Sequence, residues 1–245
     1  MIKVDIVSGF LGAGKTTLIS ELLRGALKGE QVVLIENEFG EIGIDGGFLK
    51  DAGIEIREMN SGCICCSLVG DFGSALSEVA KTYKPDRIII EPSGVGKLSD
   101  VIHAIEKVKD EVDLVINSAV TVVDVLKCRM YLKNFGEFFS NQVETAGTVI
   151  LSRTDTPKAT DEKVEQAVEL IRGLNPDATI ITTPVTELGG DKVMKTIEGV
   201  KIDLTKLPEE HEHHHHHDHD HEEHEHHHEH DENCECGCHD HDHDH

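Results

Sequence analysis

Along residues 1–200, short apolar runs alternate with longer stretches in which apolar positions recur every three or four residues. The short runs cover residues 4–8, 32–35, 87–91, 119–124, 148–152 and 179–182, and they are rich in β-branched side chains. Strands read this way when a parallel sheet buries both of its faces, because neither face then needs polar residues for solvent. Residues 15–27, 71–83, 99–108 and 161–173 carry the helical spacing. Strand–helix alternation predicts βαβ units, hence an α/β fold with a mostly parallel sheet and helices on both faces. Asn175-Pro176-Asp177 supplies loop chemistry between the last of these helices and the last strand.

The pattern stops near Pro208, beyond which only Cys234, Cys236 and Cys238 interrupt a run of His, Asp, Glu, Asn and Gly. Of the 18 histidines, 17 lie between His211 and His245. The 245 residues hold 23 Lys plus Arg against 47 Asp plus Glu, a formal charge of −24. From Glu209 onward there are 15 acidic and no basic residues, so −24 divides into −15 for the tail and −9 for residues 1–208. Such a tail buries too little surface to offset its ordering entropy and is expected to be disordered without metal. The expected organisation is a domain over residues 1–205 and a metal-binding tail over 206–245.

Charge and composition remove several classes. No apolar run is long enough to span a bilayer, and the chain enters a strand-like segment at once, without the features of a signal peptide. Strong acidity argues against a nucleic-acid partner, which demands clustered Lys and Arg. The seven cysteines are bunched rather than spread as a disulfide framework would be, so a reducing cytoplasm is expected.

The first strand runs into Gly9-Phe10-Leu11-Gly12-Ala13-Gly14-Lys15-Thr16 and then the first helix. This is the spacing and the setting of a P-loop, in which small residues let backbone N–H groups wrap phosphates at a helix N-terminus. Gly12, Ala13, Gly14, Lys15, Thr16 and Thr17 are the expected phosphate-binding residues, with Lys15 reaching the β- and γ-phosphates and the Thr16 hydroxyl on Mg²⁺. Arg87–Glu91 ends in a carboxylate followed by Pro92-Ser93-Gly94. Glu91 is the candidate for the metal or its water shell, and the Gly94 N–H for a γ-phosphate contact. Asp124 is a second strand-end carboxylate, which reads equally well as a helix N-cap. With Lys15, Thr16 and Glu91, phosphoryl transfer would be positional and electrostatic.

The strand at 148–152 leads into Ser152-Arg153-Thr154-Asp155. In GTPases the corresponding element is Asn-Lys-x-Asp, whose Asp accepts hydrogen bonds from guanine. Asp155 stands where that Asp would, and Arg153 can lay its stem along a base as the Lys does. GTP is favoured over ATP.

Cys63-Ile64-Cys65-Cys66 places three thiols within four positions, too close for good disulfide geometry. Three thiolates can occupy three corners of a tetrahedron and favour Zn²⁺ and similar ions over Mg²⁺, although small buried hydrophobes are the plainer reading. Glu36-Asn37-Glu38-Phe39-Gly40-Glu41 follows the second strand, where a γ-phosphate-sensing switch sits in P-loop GTPases. Glu36 and Glu41 are candidates to share a metal with the cysteines, or else solvated surface charge. In the tail, imidazoles and Cys234, Cys236 and Cys238 suit Zn²⁺, Ni²⁺ and Co²⁺.

Taken in order, GFLGAGKTT, ENEFGEIGID, GCICC and Glu91-Pro92-Ser93-Gly94 resemble the CobW/HypB/UreG family of metallochaperone GTPases, in its CobW-like branch, over about residues 1–200. The resemblance implies a P-loop GTPase that binds Zn²⁺, Co²⁺ or Ni²⁺ at the cysteines and couples delivery to a recipient metalloprotein to GTP hydrolysis. It also implies dimers, since family members often act as homodimers. Two features depart from the family's pattern: the base element reads Ser-Arg-Thr-Asp, and the His-rich tail stands where CobW-like proteins usually continue into a C-terminal domain. A metal buffer with a regulatory or vestigial NTPase site is the alternative, and a small-molecule kinase a third reading.

Overall fold

In a computed structural model of the chain, which describes residues 1–36, 55–58, 69–198, 200, 202 and 204–207, the six apolar runs all form strands. They are β1 (Ile2–Ser8), β2 (Val32–Glu36), β4 (Arg87–Glu91), β5 (Leu114–Asp124), β6 (Thr148–Ser152) and β7 (Thr179–Ile181), joined by a further strand β3 (Glu55–Glu58). The four periodic segments form α1 (Lys15–Arg24), α2 (Val69–Tyr83), α3 (Leu98–Val112) and α6 (Asp161–Leu174). Four shorter α-helices, α4 (Cys128–Asn134), α5 (Gly136–Thr145), α7 (Val185–Leu188) and α8 (Gly190–Ile197), and a 3-10 turn (Leu204–Lys206) complete the described elements. The strands lie in the order β3-β2-β4-β1-β5-β6-β7, and every pair is parallel. All described residues fall in the compact unit Met1–Glu210.

Strand periodicity divides the core between the two faces of the sheet. Val4, Ile6, Val33, Ile35, Ile88 and Ile90 pack with Phe72 and Leu76 of α2, Ile102 and Ile105 of α3, Phe139 of α5 and Ile171 of α6. Their neighbours Val7, Leu34 and Ile89 turn to the other face and meet Leu18, Ile19 and Leu22 of α1 and Val193 and Met194 of α8. Each such fully buried aliphatic contributes about 1.5–3 kcal/mol relative to exposure. No helix among the described residues is long and apolar enough to cross a membrane.

The element ends differ from the sequence pattern for local reasons. Helix α1 stops at Arg24 instead of running to residue 27: Gly25 leaves the helical region at φ −103° and ψ −103°, and it sits close to α8, where an added Cβ would lie 3.2 Å from the Gly190 Cα. Strand β5 begins at Leu114, five residues before the apolar run at 119. Its polar positions Asn117 and Ser118 hid that extension, and they have a specific partner. Where the β1–β5 register shifts between Val4 and Asp5, the Asn117 Nδ2 and the Ser118 hydroxyl donate to Asp5 Oδ1 at 2.7 and 2.6 Å.

Asp5 is also the centre of a buried charge cluster. Arg87, 1% exposed, donates from Nη1 to Asp5 Oδ2 at 2.5 Å, from Nε to Glu30 at 2.8 Å and from Nη2 to Glu198 at 3.0 Å. One guanidinium thus ties β4 to β1, to the turn after α1 and to the residue that follows α8. Burial alone would lower the Arg87 pKa, but the hydrogen bond to Glu30 and the charge of Asp5 outweigh it and hold the group above its ordinary value.

Arg87→Met would leave Asp5 buried without its cation, and chemical denaturation is expected to show a loss of about 3–5 kcal/mol. Glu198 gives a pH signature. Its partial burial would raise its pKa, but hydrogen bonds from Arg87 and Lys3 outweigh this and hold it below the ordinary 4.5. Stability from Glu198 is therefore present above that value and is lost as pH falls through the lower folded-state value. Thermal unfolding followed from about pH 6 down to about pH 3 should show a smaller acid-induced loss in Glu198→Gln than in the parent chain.

Candidate functional site

The C-terminal end of β1 enters the glycine-rich loop through a passage that only a glycine fits. Gly9 has φ +138°, and a Cβ there would lie 2.4 Å from the Val122 carbonyl oxygen of β5. The loop then closes a turn in which the Ala13 N–H donates to the Phe10 carbonyl at 3.0 Å, and α1 starts at Lys15 with Gly14 as its N-cap. Its N-cap glycine has no side chain with which to cap it, and no acidic residue occupies its first turn. A helix end capped by glycine, with no acid in its first turn, offers its first N–H groups and positive dipole end to an anion.

Lys15 lies inside this loop, 4% exposed. Its Nζ donates to the Phe10 carbonyl at 3.4 Å and stands 3.6 Å from Glu91 Oε1. Glu91, itself buried, ends β4 beside β1, and Glu36 of β2 lies in register with it. Thr16, half-buried, and Thr17, exposed, occupy the first turn of α1. A nucleoside triphosphate with Mg²⁺ fits this donor set: backbone N–H groups and an ammonium for phosphate oxygens, with a hydroxyl and a carboxylate for the cation.

Three further groups hold the loop from its sides. Gly94 presses against it so closely that an added Cβ would be 2.7 Å from the Leu11 backbone nitrogen. Arg153, in the left-handed region at φ 61°, donates from Nη2 to the Gly12 carbonyl at 2.9 Å and pairs through Nε with Asp124 at 2.9 Å. Asp124 Oδ1 accepts from the Leu126 N–H at 2.9 Å, so this carboxylate shapes the turn after β5 and anchors Arg153. Asp155 is exposed in the turn that follows β6.

The aromatic side of the loop was not visible in the sequence. Phe10, 5% exposed, stacks on Tyr131 with centroids 4.5 Å apart and meets Phe135 at 5.5 Å and Phe139 at 6.0 Å. The Tyr131 hydroxyl donates to the Leu11 carbonyl at 3.4 Å. The density of aromatics between 131 and 139 was the available signal, but nothing local ties it to a loop more than a hundred residues earlier.

The structure therefore gathers Lys15, Thr16, Glu91, Gly94, Asp124 and Arg153 around one loop. Cys63, Cys65, Cys66, Glu41 and the tail cysteines Cys234, Cys236 and Cys238 lie outside the described residues.

The CobW/HypB/UreG nucleotide-binding domain matches residues 3–182. The chain belongs to this family. A relative named zinc chaperone CobW, from Sinorhizobium sp, is 34% identical over 63% of this chain and 51% of its own length. The zinc chaperone YeiR of Escherichia coli is 30% identical over 69% of this chain and 51% of its own. The chain thus spans about half the length of these curated relatives. Among solved structures, the Zn(II)-bound YjiA GTPase of E. coli superposes with a TM-score of 0.56 over 84% of this chain and 61% of that one, at 23% identity. At that identity the likeness speaks for the fold, which is that of the family's P-loop domain.

The close passage at Gly9 gives a direct check on the loop. Gly9→Ala combines a left-handed φ with a backbone clash and is expected to cost more than about 2 kcal/mol in denaturant titration.

Proposed function

We propose that this CobW/HypB/UreG-family chain is a GTP-hydrolysing metallochaperone that loads a transition metal and passes it to a recipient metalloprotein. The observation that carries the reading is Lys15: an ammonium buried between the Phe10 carbonyl and the Glu91 carboxylate, at the N-terminus of a helix whose N-cap is a glycine. Holding a cation there has little structural value, whereas incoming phosphates would replace both weak partners with charge-assisted bonds. The family membership and the zinc chaperones among the relatives support the metal half of the reading.

In this mechanism Lys15 and the first N–H groups of α1 hold the β- and γ-phosphates, and the Gly94 N–H approaches the γ-phosphate. Thr16 and Glu91 would hold Mg²⁺, which when bound supplies positive charge to the phosphate oxygens. With the Lys15 ammonium drawn to the phosphates, Glu91 would face Mg²⁺ or its water shell. Catalysis is thus positional and electrostatic, and turnover is slow. Asp155 would select guanine, with Arg153 beside the base. Zinc is the first candidate for cargo, seated by Cys63, Cys65 and Cys66 with Glu36 or Glu41, while Cys234, Cys236, Cys238 and the tail histidines raise the local metal supply. A reducing cytoplasmic setting would keep these thiols available as ligands. Delivery follows if the seat binds metal differently in the two nucleotide states, because that difference is the coupling free energy.

The test is turnover of GTP and of ATP by the full chain, titrated with Zn²⁺, Co²⁺ and Ni²⁺. GTP should be the better substrate, and Lys15→Ala should lower kcat/KM on the order of 100-fold or more. Turnover that ignores every metal would favour the buffer reading instead. Zinc should alter GTP turnover in the parent chain and in Cys236→Ala but not in Cys65→Ala. A zinc response that survives in Cys65→Ala would overturn the cysteine assignment.

A further inference from the structure

The chain that leaves Glu91 makes a tight turn, in which the Gly96 N–H donates to the Ser93 carbonyl at 3.0 Å. This turn places Gly94 against the glycine-rich loop, and it is held from beneath by α5. Gln142 of α5 is 0% exposed and directs its amide nitrogen at two carbonyls of the turn, Gly94 at 3.1 Å and Gly96 at 2.8 Å. Its neighbour Asn141 accepts from the Ser99 N–H at 3.2 Å and donates to the Ser99 hydroxyl at 2.9 Å. The N-cap of α3 is Lys97, whose side chain makes no cap hydrogen bond, so Asn141 caps that helix from a different element. Lys97 in turn pairs with Glu137. Three positions on α5 thus grip three successive points of the segment from Gly94 to Ser99.

Gln142 is an unusual choice for a core position. Both of its donors go to one turn, while its Oε1 is buried without a hydrogen-bond partner among the described residues. A buried amide that leaves its acceptor unpaired is costly, and an aliphatic side chain of the same length would fill the space without that penalty. What the aliphatic could not do is fix the two carbonyls, and with them the height of Gly94 above the loop.

We infer that Gln142 is a positioning residue: it sets the stand-off of the Gly94 turn and links the γ-phosphate state of the pocket to the α4–α5 pair. The inference rests on the reading of the pocket as a GTPase site. The linkage has two ends. At one, a triphosphate draws the Gly94 N–H, and the Gly94 and Gly96 carbonyls shift against the Gln142 amide. At the other, Tyr131 of α4 stacks on Phe10 of the same glycine-rich loop, and Phe139 of α5 meets that ring at a tilt. A diphosphate makes no demand on the turn, so α5 meets a different load in the two states. By linkage, anything that biases α5 shifts the relative affinity for the two nucleotides by the same factor.

Gln142→Met keeps length and packing while deleting the donors and the unpaired acceptor. Fluorescent GDP and a non-hydrolysable fluorescent GTP analogue titrated into the full chain should give GDP affinity within about two-fold of the parent. The preference for triphosphate over diphosphate should fall on the order of ten-fold; because turnover is slow, KM for GTP should rise by a similar factor, and kcat should fall as well. Should the folded variant keep both the preference and kcat within about two-fold, Gln142 is packing alone and the inference is overturned. A second readout needs no variant. The side-chain amide resonances of ¹⁵N-labelled Gln142 in the parent chain should differ between the GDP and GTP-analogue complexes, and identical signals would overturn the inference equally. A parent chain that binds neither nucleotide would overturn the reading of the pocket itself, an outcome distinguishable from either of these.

Discussion

A glycine loop around a glycine-capped helix end concentrates positive potential at one point of the fold. Left unsupported, such a backbone would relax onto its own carbonyls or onto water. Here it is wedged. β5 passes under Gly9 with no room for a methyl group, and the Gly94 turn closes on Leu11 from the other side. Phe10 sinks into an aromatic pocket, and the Arg153 guanidinium covers the Gly12 carbonyl. Each contact comes from a different element, strand end or helix, so the loop's shape depends on the whole fold rather than on its own residues.

The two ends of the sheet resolve their charges in opposite ways. At the N-terminal end, Arg87 is matched by Asp5, Glu30 and Glu198, and Asp5 is further satisfied by Asn117 and Ser118. A buried charge with a full set of partners is a fixed point, because any movement exposes an unpaired ion. At the C-terminal end, Lys15 has among the described residues a long contact to Glu91 and a long hydrogen bond to a carbonyl. Loose pairing there is what allows a ligand to compete for the ammonium. The fold thus anchors itself at one end of its strands and keeps binding capacity at the other, where ligands of open α/β sheets gather.

How much of this was legible depended on the range of the interactions involved. The six strands, four long helices and the phosphate loop could be read because their signals are local: β-branched runs, helical spacing and a motif flanked by strand and helix. Strand β3, Glu-Ile-Arg-Glu, was missed because its charged residues mask a pattern that pairing with β2 alone establishes. Helices α4 and α5 were missed for a different reason. Tyr131, Asn141 and Gln142 serve Leu11, Ser99 and Gly94, partners 42 to 120 positions away, so nothing beside them in the chain announces their task. Asp124 and Arg153 were recognised as near the site, but their pairing with each other and with Gly12 was not.

The chain's order of residues alone determined the parallel α/β class, the place of the phosphate loop and the residue types able to meet phosphate and metal. Spacing along the backbone is enough for those, since a motif of eight residues contains its own geometry once a strand and a helix flank it. Tertiary structure decided which side chains brace that motif and how tightly. Whether an amide such as that of Gln142 holds a turn or merely fills space depends on distances between segments far apart in sequence, and only the folded sheet brings those segments together.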